Sequence, residues 1–212
     1  MSCSQCVGIE EEFDPKYARR DLKRYAKKGP KKTTKWLVEA IVEQGLPEPS
    51  VLDIGGGVGE IQHELAVAGA GQITGVDASS SFVEQCRLEA ERRGYGERSK
   101  QHFGDFTELH DEIESADVVT LDRVICCFDD VDALVAKSVA KAKRLYGLVY
   151  PRETFLTSIG SALINIVQRI RRSPFSVFVH SSERVDAMIC ERGLKRVFFR
   201  QSLLWQVVLY EA

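Results

Sequence analysis

The residues best placed to do chemistry cluster in one short segment, Val51–Gly59, which reads VLDIGGGVG. Gly55, Gly56, Gly57 and Gly59 lie between an apolar run and a helical pattern. Glycine lets the backbone turn sharply and lets a ligand approach the main chain closely. Two acids bracket the loop and select the ligand. A dinucleotide-type GxGxxG loop starting at Gly55 needs Gly or Ala at position 60, which is Glu60 here. An acid at that point obstructs the helix–strand approach and opposes a pyrophosphate. Asp53, just ahead of the loop, is also wrong for phosphate. It suits a ligand bearing positive charge, because opposite charges attract strongly in a partly dry cleft.

The elements that must position this loop follow from periodicity. Ser50–Ile54, Gln72–Val76, Lys100–Phe103, Ala116–Leu121 and Leu145–Tyr150 read as short strands. Between them, Glu60–Ala68, Ser79–Arg93 and Val131–Lys143 repeat apolar residues at helical spacing. Such alternation predicts an α/β fold, a Rossmann-like doubly wound and mostly parallel sheet with helices on both faces. Ligands then bind beyond the C-terminal strand ends, near the switch point. The end of the chain differs. Helical patterns at Thr157–Arg171 and Ser182–Arg192 precede two β-rich runs, Leu194–Arg200 and Leu203–Tyr210. Their short Gln201-Ser202 link predicts an antiparallel pair at the sheet's end. A single domain is expected. Residues 1–45 would form a helical cap, 50–150 the cofactor-binding core, 153–180 an inserted substrate-side segment, and 181–212 the final helix and two strands.

At this point VLDIGGGVG resembles the glycine-rich first motif of class I S-adenosylmethionine-dependent methyltransferases. The resemblance covers residues 50–150, and three further motifs follow in order. Ile73–Asp77 resembles the second, with an acid ending strand two; Asp77 lies 22 residues after Gly55. Gly104-Asp105-Phe106 resembles the third, and Asp117–Asp122 followed by Arg123 the fourth. S-adenosylmethionine carries an ammonium and a sulfonium and no phosphate, which suits Asp53. The resemblance implies cofactor binding by Asp53, Gly55, Gly56, Gly57, Asp77, Ala78, Gly104, Asp105, Phe106, Leu121 and Asp122. It assigns Asp77 to the ribose hydroxyls and Asp105 to the adenine amino group, with Phe106 against the ring. The competing readings are that Asp77 caps a helix and that Asp105 is a turn residue. Gly56 departs from the family pattern, which often has Cys, Ala, Ser or Pro there. The rest of the chain is similar to small bacterial methyltransferases of the magnesium-protoporphyrin and quinone O-methyltransferase type.

Methyl transfer to a small-molecule acceptor, at oxygen, is the expected reaction. It calls for positioning, water exclusion and, for some acceptors, a base. The candidate catalytic residues are Asp122 (base or pocket wall), Arg123 (partner of Asp122 or anchor for an anion) and His180 (base or structural histidine). His63, His102 and His110 have no partner implied. Cover is expected from the basic segment Lys16–Lys35, with Tyr17, Arg20, Tyr25 and Thr34, and from Glu153–His180, which ends in the cationic run Arg169–Arg172.

Composition sets the remaining limits. A chain of 212 residues that is 44% hydrophobic can bury a core without disulfides. The start, MSCSQCVGIEEEF, lacks a basic-then-apolar leader, and no apolar run suggests a membrane span, so a cytoplasmic protein is expected. Cys86, Cys126, Cys127 and Cys190 read as reduced, buried thiols. Cys3 and Cys6 form a CxxC without a second ligand pair; the expectation is no metal and a frayed tail. Lys16–Lys35 holds ten basic residues and one acid, and Gly29-Pro30 divides it into two helical pieces. The net charge of −2 and the lack of an Asn-Pro-Pro-Tyr-type motif argue against nucleic acid. The alternatives kept open are an NAD(P)-dependent oxidoreductase and a nucleic-acid methyltransferase. Nothing in the sequence specifies an oligomeric state.

Overall fold

The computed structural model describes residues 4–212. Seven strands form one sheet: β1 (Val51–Ile54), β2 (Ile73–Asp77), β3 (Ser99–Phe103), β4 (Ala116–Asp122), β5 (Ala142–Pro151), β6 (Lys195–Gln201) and β7 (Trp205–Glu211). Their order is β3-β2-β1-β4-β5-β7-β6. The first five strands run parallel, and β7 pairs antiparallel with both β5 and β6. The chain therefore reverses its winding between β1 and β4, so their C-terminal ends flank the switch point.

Nine helices pack around the sheet among the described residues: α1 (Ser4–Glu12), α2 (Pro15–Lys28), α3 (Lys32–Val42), α4 (Glu60–Val67), α5 (Ser80–Arg92), α6 (Phe106–Leu109), α7 (Val131–Val139), α8 (Phe155–Arg171) and α9 (Ser182–Cys190). Strand alternation divides the core into two layers. On β5, Leu145 and Val149 join Leu37 and Ile41 of α3 and Leu65 of α4 on one face. Tyr146, Leu148 and Tyr150 join Leu134 of α7 and Ile189 of α9 on the other. Gly147 lets α3 come in close: a Cβ there would stand 2.8 Å from Leu37 Cδ1.

Three expectations need correction. The helix expected over Val131–Lys143 stops at Val139, and Ala142 already pairs with Ala116 in β5. The Ala-Lys run favours helix locally, but an unpaired start to β4 would leave its backbone unsatisfied, so tertiary pairing overrides propensity. The tail around Cys6 is not frayed. It is α1, with Cys6 fully buried, whereas Cys3 lies outside the described residues. Cys190 is exposed rather than buried, and Cys127 only partly buried. No helix is long and apolar enough to cross a membrane among the described residues.

Leu148 sits at the centre of the sheet with no exposed surface. Leu148→Ala should cost about 2–5 kcal/mol in urea unfolding. A loss well below 1 kcal/mol would contradict the two-layer core.

Candidate active site

The glycine loop leaves β1 with Gly55, Gly57 and Gly59 in left-handed backbone, at φ 64°, 57° and 82°. Two side chains fix it from beneath. Asp77, at the end of β2, accepts from the Gly57 N–H (2.9 Å) and from the Ser79 N–H (2.8 Å). His63 of α4 is completely buried and donates from Nε2 to the Val58 carbonyl (2.8 Å), while the Tyr95 hydroxyl bonds its Nδ1. Burial holds His63 down to about 4, so the ring stays neutral. No partner of His63 is evident from the sequence, and the structure supplies two. Gly56 now has a reason as well. A Cβ there would collide with Asp53 Oδ2 and Gln62 Nε2, so the loop can pass over a buried carboxylate only as glycine.

That carboxylate is the unusual group of the site. Asp53 is 1% exposed and accepts only from Thr120 Oγ1 (2.7 Å) and Gln62 Nε2 (3.2 Å). Both donors are neutral. Desolvation raises Asp53 to about 7, against those two hydrogen bonds and with help from the charges of Asp122 and Asp77. Burial also raises Asp77 to about 6 despite its two backbone donors. Asp122 is raised by burial too, opposed by Arg123 and by the Thr34 hydroxyl. Asp53 and Asp77, both buried, and Asp122, half-buried beside Arg123, thus line one cleft.

Beyond β4, Arg123 stands at φ 63°, a strained position for a side chain with a Cβ. Its guanidinium pays back the strain locally: it donates to Asp122 Oδ1 (2.7 Å) and to Thr34 Oγ1 (3.1 Å), bonds the Thr33 hydroxyl, and lies over the Trp205 ring. Asp122 also accepts from the Thr34 hydroxyl. The N-terminal turn of α3 is therefore tied to the end of β4.

Charge also docks the basic helix α2. Glu60, almost fully buried at the start of α4, takes Arg24 and the Lys31 ammonium (2.6 Å), and accepts from the Lys31 N–H (2.8 Å). Tyr25 donates to Glu64 (2.7 Å). The acid that spoils a dinucleotide loop is thus the anchor of the cap. Ahead of it, α1 covers the cleft. Gly8 lies so close to the Phe175 backbone that no Cβ would fit, and Phe13 packs edge-on against Phe175 at 5.8 Å.

Together these elements enclose a cleft of about 600 Å³. It is lined by Asp53, Gly55, Gly56, Gly57, Asp77, Ala78, Gly104, Asp105, Phe106, Asp122 and Arg123, eleven of the residues singled out from the sequence. Asp105 does two things: Oδ1 caps α6 through the Thr107 N–H (2.7 Å), and Oδ2 is 3.5 Å from Cys6 Sγ. Asp77 also lines the cleft but is not the helix cap expected of it: Ser79 caps α5, its hydroxyl accepting from the Phe82 N–H (3.3 Å), whereas Asp105 does cap α6. Two expected residues are elsewhere. Leu121 points into the α7 layer of the core, one position out of phase with Asp122. His180 does not line the cleft. Its Nε2 donates to the carbonyls of Ile125 (2.8 Å) and Phe128 (3.0 Å), so it pins the turn after β4. Cys6 and Ile9 of α1, Phe13 just after it, Phe128 after β4, and Trp205 also line the cleft and were not singled out from the sequence. Only the apolar spacing within α1 could have hinted at the first three.

Residues 51–145 match the family described as a methyltransferase domain. The fold is similar to that of magnesium protoporphyrin IX methyltransferase from Synechocystis PCC 6803, solved with bound S-adenosylhomocysteine. The two are 18% identical with a TM-score of 0.76, over 98% of this chain and 99% of that one. It is also similar to an O-methyltransferase family protein from Burkholderia thailandensis (14% identity, TM-score 0.68, 97% of this chain and 63% of that one). A third is the O-methyltransferase family 2 protein from Planctomyces limnophilus in complex with apigenin (18%, 0.61, 87% and 62%). No curated protein matches in sequence. The methyltransferase-domain match runs from the first residue of β1 into β5, and the Synechocystis structure shares the fold over almost the whole chain.

Glu60→Gln removes the charge partner of Arg24, about a quarter exposed, and of Lys31, about a third exposed. After allowance for that exposure, the expected cost is about 1–2 kcal/mol. Trypsin should then cut α2 faster than in the wild type. Equal cleavage rates and equal stability would show that Glu60 does not anchor the cap.

Proposed function

We propose that the chain transfers the methyl group of S-adenosylmethionine to an oxygen of a small, largely apolar acceptor. The observation that carries this reading is the pair of buried carboxylates, Asp53 and Asp77, that line the cleft with no ion pair to a protein cation among the described residues. Such a cleft favours a ligand with positive charge and no phosphate.

The residues present fit the methyl donor. The missing Cβ at Gly57 leaves open space over the loop, with only Phe82 reaching 4.0 Å. Asp53 and the main chain of Gly55–Gly57 would hold the amino-acid end through its ammonium. Asp77 keeps free lone pairs after its two backbone bonds and would take the ribose hydroxyls. Asp105, Gly104, Phe106 and Ala78 would hold the adenine. The donor, when bound, supplies a methyl group on a sulfonium, already a good leaving group.

The remaining task of the protein is to place the acceptor and exclude water. No free base faces the cleft among the residues considered for that role. Asp122 is engaged by Arg123 and Thr34, and shapes the wall. His180 is engaged by two carbonyls and serves as a positioning residue. An acceptor that is already anionic at neutral pH, such as a carboxylate or an acidic phenol, needs no base. Arg123, on the wall after β4, offers it a cation. The apolar side chains of Leu156, Ile164, Val177 and Leu204 suit a flat or hydrophobic body. Arg24 and Lys31 are spent on Asp21 and Glu60, which favours a small molecule over nucleic acid. In this reading residues 1–45 act as cap, 50–150 as cofactor core, and 153–180 as acceptor-side wall.

Calorimetric titration with S-adenosylmethionine should show that Asp77→Ala abolishes detectable binding with the circular dichroism spectrum unchanged. Asp53→Ala should weaken binding by roughly tenfold or more, as for loss of a charged hydrogen bond. Unchanged affinity in either variant would refute that residue's role. With labelled donor, a panel of carboxylic and phenolic acceptors should yield an O-methyl product, recognised as an ester by alkaline release of methanol or as an ether by its resistance. Transfer only to nitrogen, carbon or RNA would overturn the acceptor reading.

A further inference from the structure

Helix α8 is turned inside out. Its polar side faces the protein: Asn165 exchanges two 2.8 Å hydrogen bonds with the Val177 backbone, and Gln168, buried, donates to Glu12 (3.1 Å). A second side, Leu156, Gly160 and Ile164, walls the cleft. The side away from Asn165 and Gln168, next to the cleft wall, carries Phe155, Ile159, Leu163, Ile166 and Ile170, repeating at helical spacing. None of them is covered: Phe155 is 79% exposed, Ile166 55% and Ile170 77%. Leu203, 73% exposed, extends the patch, because Arg152 just ahead of α8 donates to the Ser202 carbonyl at 3.1 Å. A patch of this kind on a folded chain marks an interaction surface.

Charge says what covers it. From Phe155 to Arg172 there is no acid and there are three arginines. Arg169 and Arg171 lie on either side of the apolar stripe, and Arg172 follows at the helix end. Arg169 and Arg172 make no ion pair among the described residues, and Arg171 reaches only Glu12, at 3.6 Å. Apolar centre, cationic flanks and long stems able to reach outward are the design of a helix lying in a lipid headgroup layer. The outward stripe joined to Leu156 and Val167 is also wider than the two-position seam that a helix pair between copies uses. The helix is too short to span a bilayer.

We propose that α8 docks on an anionic lipid surface, with its axis in the plane of the interface. The wall of the cleft and the membrane contact are then two faces of one helix, and an apolar acceptor could pass from lipid to cleft beside Leu156 and Leu203. Docking does not depend on which acceptor is methylated.

The test is co-sedimentation of the full chain with vesicles of phosphatidylcholine alone and of phosphatidylcholine mixed equally with phosphatidylglycerol, beside analytical ultracentrifugation without lipid. The wild type should be monomeric and should pellet with the anionic vesicles. Ile166→Asp/Ile170→Asp, both outward, should keep its melting temperature and S-adenosylmethionine affinity yet lose vesicle binding by roughly tenfold or more. Arg169→Gln/Arg172→Gln should weaken binding to the anionic vesicles by a similar factor. A wild type that stays in the supernatant overturns the proposal. So does binding that ignores the Ile166/Ile170 change. So does a dimer that dissociates in that variant, which would make the face an interface between copies of the chain.

Discussion

Burying the Asp53 carboxylate is the constraint from which most of the site follows. It is the penultimate residue of β1, in the middle of the sheet beside Thr120 of β4 and Gly75 of β2, and almost wholly removed from solvent. Burying an ionised group without a charged partner is costly, and proteins meet that cost by neutralising the group or by pairing it. Here the protein offers two neutral donors, Thr120 and Gln62, and places Asp77, also buried, and the half-buried Asp122 in the same cleft. Gly56 must be glycine to clear it. Gln62, in turn, is fixed by the Gln101 amide, which donates to it at 2.7 Å. In the proposed function, a cationic ligand completes this arrangement.

The surrounding elements hold that arrangement rather than supply chemistry. Asp77 and His63 tie the loop down by its own backbone. The Asp122–Arg123–Thr34 set joins the end of β4 to the N-terminal cap, and Glu60 takes two cations from the cap at the other side of the loop. The cap is therefore locked to the cofactor loop through charge, while α1 and the Phe175 strap close over it by apolar contact. The remaining wall of the cleft comes from the part of the chain that differs most from an ideal doubly wound sheet, the α8 segment and the β6–β7 turn.

Much of this was legible in the sequence because the motifs are local. A strand, a glycine turn and an acid at each strand end fix register through alternation, so Asp53, Asp77, Asp105 and Asp122 could be placed in one cleft without coordinates. Leu121 failed for the same reason: one residue along a strand reverses the face. The helix over Val131–Lys143 was misjudged because Ala and Lys favour helix while pairing with β4 lies far away in sequence. Helix α1 was invisible because its few apolar residues acquire meaning only against Asp105, Phe82 and Phe175. His180 looks the same in sequence whether it serves as a base or a brace, and only its two carbonyl partners separate the roles. For α8, periodicity gave the helix but not which side faced the protein.

The central claim, a buried carboxylate waiting for a cation, is most directly tested by proton release. Asp53 at about 7 is mostly protonated at pH 6, and a bound ammonium favours its ionised form. Binding of S-adenosylmethionine must therefore expel close to one proton at pH 6, with affinity falling about fivefold from pH 7 to pH 6 through Asp53 alone. Calorimetry in two buffers of different ionisation heat reads this number, and Asp53→Asn provides the control. Release of close to one proton at pH 6, reduced in the variant, is the predicted result. Binding with no proton exchange at pH 6, or with exchange unchanged in Asp53→Asn, would contradict the account.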